Sequence, residues 1–493
     1  MASEYYERLS GQDTMFLVME EATIHMHVSA VQIFDAEPLR NQHGGVDFDK
    51  YRRSIEACLH LIPRYRQKLK TTPLEGSVVW VDDPNFNIHY HVRHTSLPRP
   101  GTERQLKHMA ARIMGTQLDR AKPLWEAWLV EGLEGNRFAV ITKLHHCMID
   151  GASGVDLSHI LMTTTPEYEV QDPPLYVPRP APSNATLLRD QLVRRFGLPR
   201  RMLAGLARFS NERGRDDITE ELKVRGKALL NLVEVTMDGI DETPINASEL
   251  GPHRRFDWIQ MPLDDVKAVR RQAGCTLNDV ILTTVAGAVR RHLLRHKTDP
   301  GQTRFRVAAP VSVRKEEESG MLGNKVSSWI VDLPIGLEDP LDRLAIIHEK
   351  TKELKASRSA LGIQMMMKVA DWTPTSILSL AARSAGGQVN MIVTNVPGPQ
   401  FPLYTLGSKM LSMYGQVPLL EGIGLGVALF SYDGTLFWGF NGEYDTLADL
   451  HLLCLDIEES FAELRDAVAG RRDQEIADTT VDTPSPMRPA SAS

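Results

Sequence analysis

Runs of apolar residues divide the first part of the chain into strand-like and helix-like segments. Residues 27–34 are rich in β-branched and aromatic side chains, which predicts a strand. Residues 138–144 are apolar at almost every position, as in a strand that is buried on both faces. Helical patterns cover 49–61 and 102–118. This alternation predicts an α/β domain over residues 1–165.

A second alternating region predicts another α/β domain over residues 251–470. Two apolar segments flank Asp433 and Gly434, a pair that favours a tight hairpin turn. Pro397 follows a strand-like segment, and its lack of an N–H group argues against a central strand or helix beyond it. The predicted helices cover 278–294, 342–356 and 361–372, and the predicted strands cover 305–313, 389–395, 425–431 and 435–441.

The composition changes between and after these two regions. Residues 173–182 are dense in proline, which excludes a regular helix there, whereas 187–209 alternate arginines with leucines. We therefore predict that 166–250 is a linker with helices of its own. The final segment, 471–493, is rich in Thr, Ser, Pro and Ala and is predicted to be disordered.

The composition as a whole is that of a globular protein. The 493 residues are 42% hydrophobic and 24% charged, with a net charge of −7, which argues against nucleic acid as a partner. The four cysteines form no CxxC pair, so we expect reduced thiols and no metal site. The polar N-terminal segment and the lack of an apolar run of about 18 residues predict a cytoplasmic protein without a membrane span.

The segment 145–151 carries the clearest candidate chemistry. A buried strand delivers His145 and His146 to its end, and Asp150 follows four residues after the second imidazole. Gly151 permits a tight turn, which would let the carboxylate fold back toward a histidine ring. Histidine can accept and return a proton at neutral pH, whereas a fixed aspartate can orient the ring. Each feature alone is common in structural turns, but their combination favours catalysis.

Motifs for several other chemistries are missing from the sequence. It contains no GxSxG nucleophile elbow, no HExxH motif and no clustered metal ligands. Residues 225–228 lack the hydroxyl residue and the upstream glycine of a phosphate-binding loop, and 422–426 falls short of GxGxxG.

The order of motifs resembles a known family. HHxxxDG at 145–151 is the signature of the superfamily that includes chloramphenicol acetyltransferase and peptide-synthetase condensation domains. Within that superfamily the chain looks most like the bacterial wax ester synthase/diacylglycerol acyltransferase family. The segments that carry this likeness are 9–17, Pro123-Leu124-Trp125, Asn278-Asp279, 310–314, Gly323-Asn324 and 395–399.

The resemblance implies a fold and an activity. The fold would be two chloramphenicol-acetyltransferase-like α/β halves forming a pseudo-dimer, joined by a helical linker, with His146 at their interface. The activity would be transfer of a long-chain acyl group from acyl-CoA to diacylglycerol or a fatty alcohol, with His146 as general base and no acyl-enzyme. No cofactor beyond the acyl-CoA substrate is implied.

Four further residues are assigned by the resemblance, each with a structural alternative. Asn278 and Asp279 would lie beside the acyl tunnel, although both also suit the start of a helix. Arg314 would pair with Asp150, or simply end a strand. Trp125 would contribute to the substrate site, or serve as a core aromatic. Independently of the resemblance, the unbranched thioethers of Met365, Met366 and Met367 suit either a lipid channel or a helical core.

The arginine-rich linker suggests contact with lipid. Arg194, Arg195, Arg200 and Arg201 alternate with apolar residues, which suits an interfacial helix at a membrane or a lipid droplet, or else a solvated face. Two other functions remain open at this point. One is a non-catalytic lipid-droplet-binding relative, and the other is a condensation-type or polyketide-associated acyltransferase that uses carrier-bound acyl groups.

Overall fold

The computed structural model describes residues 5–73, 77–148, 153–193, 239–312, 326–356 and 389–481. The helices are α1 Gly11–Met19, α2 Phe48–Cys58, α3 Ile88–His91, α4 Glu103–Met114, α5 Ser153–Leu161, α6 184–193, α7 Leu263–Ala273, α8 Leu277–Arg295, α9 Pro340–Ala356 and α10 Leu450–Val481. The strands are β1 Glu7–Arg8, β2 His27–Asp35, β3 Gln67–Thr71, β4 Val78–Asp82, β5 Val92–Ser96, β6 Trp125–Leu133, β7 Arg137–His145, β8 Arg254–Pro262, β9 Phe305–Ser312, β10 Val326–Leu333, β11 Met391–Pro397, β12 Tyr404–Thr405, β13 Ser408–Gln416, β14 Leu425–Tyr432 and β15 Thr435–Glu443.

The first six-stranded sheet has the order β12-β13-β2-β7-β6-β5. Strand β7 lies inside this sheet and is buried along most of its length, which confirms the prediction for 138–144. Its antiparallel pairing with β2 places His27 opposite His145 and Phe34 opposite Phe138. The register therefore brings a third histidine beside the two histidines of the motif.

The second six-stranded sheet has the order β10-β9-β11-β14-β15-β8, in which β11 runs parallel to both neighbours. Strands β14 and β15 form the predicted hairpin. Asp433 and Gly434 turn it with φ of 43° and 79°, a left-handed conformation that suits these residue types. Pro397 is the last residue of β11, where the missing N–H group ends the ladder instead of interrupting it.

The two large sheets are linked by strand β13. It comes from the C-terminal part of the chain but pairs with β2 in the first sheet. The ring of Tyr414 on β13 stacks on Trp258 of β8 at a centroid distance of 4.5 Å. A Cβ atom on Gly439 of β15 would lie 2.1 Å from the Gly415 carbonyl oxygen, so only glycine permits this approach of β13 to the second sheet.

Helix α6, which lies within the predicted linker, packs against the small sheet β1-β4-β3. Leu187 of α6 is fully buried in a cluster with Val79 and Val81 of β4, within the small sheet β1-β4-β3. Gln191 donates its Nε2 to Thr72 Oγ1 at 2.7 Å. The sequence missed this docking because the contacts join residues more than 100 positions apart.

Several element ends differ from the sequence predictions. Helix α4 ends at Met114 instead of 118, because Gly115 follows as the C-cap. Helix α10 continues past Arg471 to Val481, so the first part of the predicted disordered tail is helical. The predicted helix at 361–372, with its three methionines, and the four linker arginines lie outside the described residues. Among the helices that the structure describes, none has the length and the apolar composition of a bilayer-spanning segment.

Candidate active site

The two histidines of the motif occupy different environments. His145 ends β7 and is fully buried, whereas His146 begins a turn of 3-10 helix and is half-buried. Both are fixed through the backbone. The His145 N–H donates to the Leu124 carbonyl oxygen at 3.0 Å, and the His146 N–H donates to the Met26 carbonyl oxygen at 2.7 Å. The strand therefore ends in a position where only the second ring is accessible.

Helix α1 packs against the turn that carries His146. The ring of Phe16 stacks on the His146 imidazole, with centroids 4.0 Å apart and planes inclined by 28°. Leu17 of the same helix belongs to a buried cluster that includes Cys147 and Trp80. Phe16 therefore covers one face of the His146 ring, and the buried cluster fixes the neighbouring residue Cys147.

A buried glutamate lies behind the motif. The side chain of Glu20 is 1% exposed, and its carboxylate oxygens lie 3.4 Å from His27 Nε2 and 3.7 Å from His145 Nε2. Arg120 donates to the same carboxylate at 2.6 and 2.9 Å. On the other side of the ring, His145 Nδ1 accepts a hydrogen bond of 3.1 Å from the Cys147 N–H. His145 thus connects Glu20 to the turn that begins at His146.

Burial and the neighbouring side chains together determine the charges of this group. Burial alone would raise the pKa of Glu20, but interactions with His145, His27 and Arg120 outweigh it and hold that pKa well below its usual range. Burial lowers the pKa of His27 to about 4, against a smaller opposing effect of Glu20. At neutral pH the glutamate is therefore a carboxylate and His27 is a neutral imidazole.

An apolar cavity of about 270 Å³ lies between the two large sheets, and His146 is part of its wall. The β2 residues that line it run from Val28 to Phe34, a distance of roughly 20 Å along the strand, and apart from Ser29 they are alternate residues of one face. Other contributions come from α2, β7, α5, β11, β13 and β14. The lining includes Ala30, Gln32, Tyr51, Ile55, Val140, Thr142, Leu144, Leu157, Leu161, Val396, Met413, Ala428, Leu429 and Phe430.

Trp125 is placed in the core beside this cavity. It is 2% exposed, and its Nε1 donates to the Tyr65 carbonyl oxygen at 2.8 Å. Its ring stacks on His91 at 4.7 Å and packs against Tyr65, which itself lines the cavity. The structure therefore places Trp125 in the core, in contact with a residue of the cavity wall.

Asp279 and Asn278 lie at the start of α8. Asp279 is fully buried and closes a capping box with Thr276. It also accepts hydrogen bonds from Thr351 Oγ1 at 2.7 Å and His348 Nδ1 at 2.8 Å, both on α9. Asn278 accepts a 3.4 Å hydrogen bond from Asn395 Nδ2. Neither belongs to the lining of the cavity.

Three predicted site residues lie outside the described residues, namely Asp150, Gly151 and Arg314. Conversely, sequence reasoning missed Phe16, Glu20, His27 and Arg120. Phe16 lies within the family-like segment 9–17 but was not singled out there, and no motif marks the other three positions. All four reach the site through packing and strand pairing. The one local signal is the pair of histidines at 25 and 27 at the start of a predicted strand.

Comparison with known proteins shows the family of the chain. The model of the wax ester synthase/diacylglycerol acyltransferase catalytic domain matches residues 9–281, and that of the WS/DGAT C-terminal domain matches 322–465. The chain belongs to this family. A Mycobacterium tuberculosis (strain H37Rv) protein named "Probable diacyglycerol O-acyltransferase tgs1" is 31% identical over 94% of this chain and 96% of its own length.

Solved structures share the fold of this WS/DGAT protein. The wax ester synthase/diacylglycerol acyltransferase from Marinobacter aquaeolei VT8 superimposes with a TM-score of 0.64 at 23% identity, covering 94% of this chain and 100% of that one. Trichothecene 15-O-acetyltransferase from Fusarium sporotrichioides gives 0.60 at 12% identity, covering 94% and 95%. The predicted α/β fold of the acyltransferase superfamily is thereby confirmed.

Proposed function

We propose that this protein transfers a long-chain acyl group from acyl-CoA to the hydroxyl of diacylglycerol, forming triacylglycerol, and also accepts fatty alcohols to form wax esters. The observation that carries the proposal is that His146 lies in the wall of an elongated apolar cavity. Such a cavity favours an aliphatic chain, since burial of each methylene contributes about 0.8 kcal/mol.

His146 acts as the general base. It removes the proton from the acceptor hydroxyl while that oxygen attacks the thioester carbonyl carbon, and the tetrahedral intermediate then expels the CoA thiolate. The protonated imidazole returns the proton to the departing sulfur. A thiol of pKa near 8.5 is a much better leaving group than an alkoxide, so no acyl-enzyme is needed.

The proposal includes three residues that are assigned from the sequence motifs alone, namely Asp150, Gly151 and Arg314. Asp150 orients the turn that follows His146, Gly151 provides its tight bend, and Arg314 pairs with Asp150. A charge exchange tests the pairing: Asp150→Arg and Arg314→Asp should each lower activity, and the double variant should recover part of it.

The protein also associates peripherally with a lipid surface in this proposal. Two described residues on the N-terminal side of the arginine cluster expose apolar side chains: Val193, directly before it, is 67% exposed, and Leu175, further upstream, is 90% exposed. Replacing Arg194, Arg195, Arg200 and Arg201 with glutamine should lower flotation with vesicles containing anionic lipid. Equal flotation of wild type and variant would contradict the association.

The main experiment offers labelled palmitoyl-CoA with diacylglycerol and a fatty alcohol in competition, and separates the products by thin-layer chromatography. His146→Ala should lower turnover by about 10²–10⁴-fold. The control, His108→Ala, removes an exposed histidine of α4 and should retain activity. A folded His146→Ala protein with wild-type turnover would contradict the proposal.

Two other outcomes identify the alternative functions. A wild-type protein that binds lipid but releases no thiol from acyl-CoA would be a non-catalytic lipid-binding relative. A protein that accepts acyl-carrier protein and not acyl-CoA would be a condensation-type acyltransferase.

A further inference from the structure

A second group of potential ligands lies away from the cavity, where the C-terminal end of α8 meets the start of α10. His292 lies in the last turns of α8, and His296, one turn later, is the C-cap residue of that helix. Asp449 directly precedes α10, and its Oδ2 lies 3.0 Å from His296 Nε2 and 3.8 Å from His292 Nδ1. The three ligand atoms all lie within 4.8 Å of one another.

His292 is the unusual member of this group. Its side chain is 1% exposed, and neither ring nitrogen has a hydrogen-bond partner among the described residues. A buried polar group without a partner costs about 1–3 kcal/mol, so this ring is expected to have a ligand.

We propose that His292 Nδ1, His296 Nε2 and Asp449 Oδ2 bind a divalent transition metal ion such as Zn²⁺. Imidazole nitrogens and carboxylate oxygens bind Zn²⁺ at 2.0–2.2 Å, so ligand atoms around a tetrahedral ion are roughly 3.4 Å apart. The observed separations of 3.0 and 3.8 Å lie on either side of this value. Small shifts of these side chains would therefore bring the three ligand atoms to the separations that a tetrahedral ion requires.

Two nearby features influence the charge at this position. The C-terminal end of α8 carries the negative pole of the helix and favours a cation. Arg295 opposes it, since its Nη1 lies 3.8 Å from Asp449 Oδ2, but the same guanidinium is also bonded to Asp456. Without a metal, the Asp449 carboxylate would act as an ordinary partner of His296, which is the alternative that the test must exclude.

The structure offers a matched control close to the site, on α10. His451 of α10 pairs with Asp257 at 2.9 Å, and this pair has no third ligand among the described residues. His451→Ala removes a histidine–aspartate pair without touching the proposed site. His296 is 38% exposed, so His296→Ala should leave the fold intact, and Asp449→Asn keeps a residue suited to a helix start.

The experiment titrates the full chain, first freed of metal by a chelator, with ZnCl₂ in a calorimeter. Wild type and His451→Ala should each bind one equivalent with equal affinity, and His296→Ala and Asp449→Asn should bind at least about tenfold more weakly. Zn²⁺ should also raise the melting temperature of wild type but not of His296→Ala. Acyl transfer should not change, because none of the three residues lines the cavity.

Two results would overturn the proposal. One is a wild-type protein that binds no Zn²⁺, and the other is equal binding by wild type and His296→Ala, which would place the metal on other histidines.

Discussion

Glu20 is a charged residue in an almost fully buried position, and its role depends on the ring of His145. One carboxylate faces two histidines and an arginine, and His145 accepts a hydrogen bond from the turn that carries His146. Glu20 does not touch the proposed reacting atoms. We therefore regard it as a positioning residue, which holds the first histidine so that the second is correctly placed.

Glu20→Gln tests this role, because it keeps the size of the side chain and removes its charge. We expect kcat to fall by about 10–100-fold while KM changes little, since the substrate cavity is untouched. Steady-state kinetics with palmitoyl-CoA would measure both constants. Glu21→Gln, at the exposed neighbouring position, is the control. A Glu20→Gln enzyme with the kcat of wild type would show that the carboxylate is merely structural.

At the scale of elements, Asp279 joins two helices. Burial raises its pKa, but hydrogen bonds from Thr351, His348 and the Thr276 N–H more than compensate, so the pKa is lowered overall. The carboxylate thus caps α8 and ties it to α9. This geometry supports the structural interpretation of the ND motif, in which Asp279 shapes the second domain from within.

Asp279→Ala should accordingly lower the free energy of unfolding by about 2–4 kcal/mol, because three donors lose their acceptor. Urea denaturation monitored by circular dichroism would measure the change. Asp264→Asn replaces an 87% exposed carboxylate in the first turn of α7 and should change stability by less than about 0.5 kcal/mol. If Asp279→Ala kept wild-type stability and lost only substrate affinity, the carboxylate would instead serve the acyl site.

The same scale shows which elements can be predicted from sequence. Strand β7, helix α8 and the β14–β15 hairpin follow from local apolar periodicity and turn residues, which act over a few positions. The placement of β13 beside β2 depends on a pairing between residues nearly 400 positions apart. The contact of Glu20 with His145 likewise joins residues that are far apart in the sequence. Periodicity carries no information on such contacts, so the sequence indicated the histidines and missed the groups that hold them.

On the scale of the whole molecule, the cavity exists because two sheets meet across β13. Ala30 lies midway along its β2 wall, opposite Thr142 of β7 and Gly415 of β13, both of which also line the cavity. A larger side chain at this position should divide the cavity in two. The part nearest His146 would still take a short chain.

Ala30→Phe should therefore lower the activity with palmitoyl-CoA relative to that with butyryl-CoA by at least about tenfold, as long chains lose buried methylenes. Rates with a series of acyl-CoA lengths would show the shift. Ala30→Ser adds little volume and should keep the wild-type profile. An unchanged chain-length profile in Ala30→Phe would mean that the acyl chain of the donor lies elsewhere.

The molecule as a whole should lose stability on mild acidification, because it buries histidines in neutral form. The pKa values of His27, His91 and His292 are each lowered to about 4, with burial as the main cause. In the unfolded chain these histidines have pKa values near 6.5. As the pH falls below that value, the unfolded chain therefore takes up protons that the folded chain does not bind, which favours unfolding. Stability is therefore fully present above pH 6.5 and is lost as the pH falls toward 4.

Between pH 7.5 and pH 5 this loss should amount to up to about 2 kcal/mol per histidine. Urea unfolding at both pH values, with a chelator present to keep His292 free of metal, would measure it. His91→Gln should be less stable at pH 7.5, because His91 Nδ1 donates to the Trp125 carbonyl oxygen and the imidazole stacks on the Trp125 ring, yet its stability should fall less on acidification. If the stability of wild type and of His91→Gln fell equally on acidification, His91 would bind its proton in the folded protein as readily as in the unfolded chain.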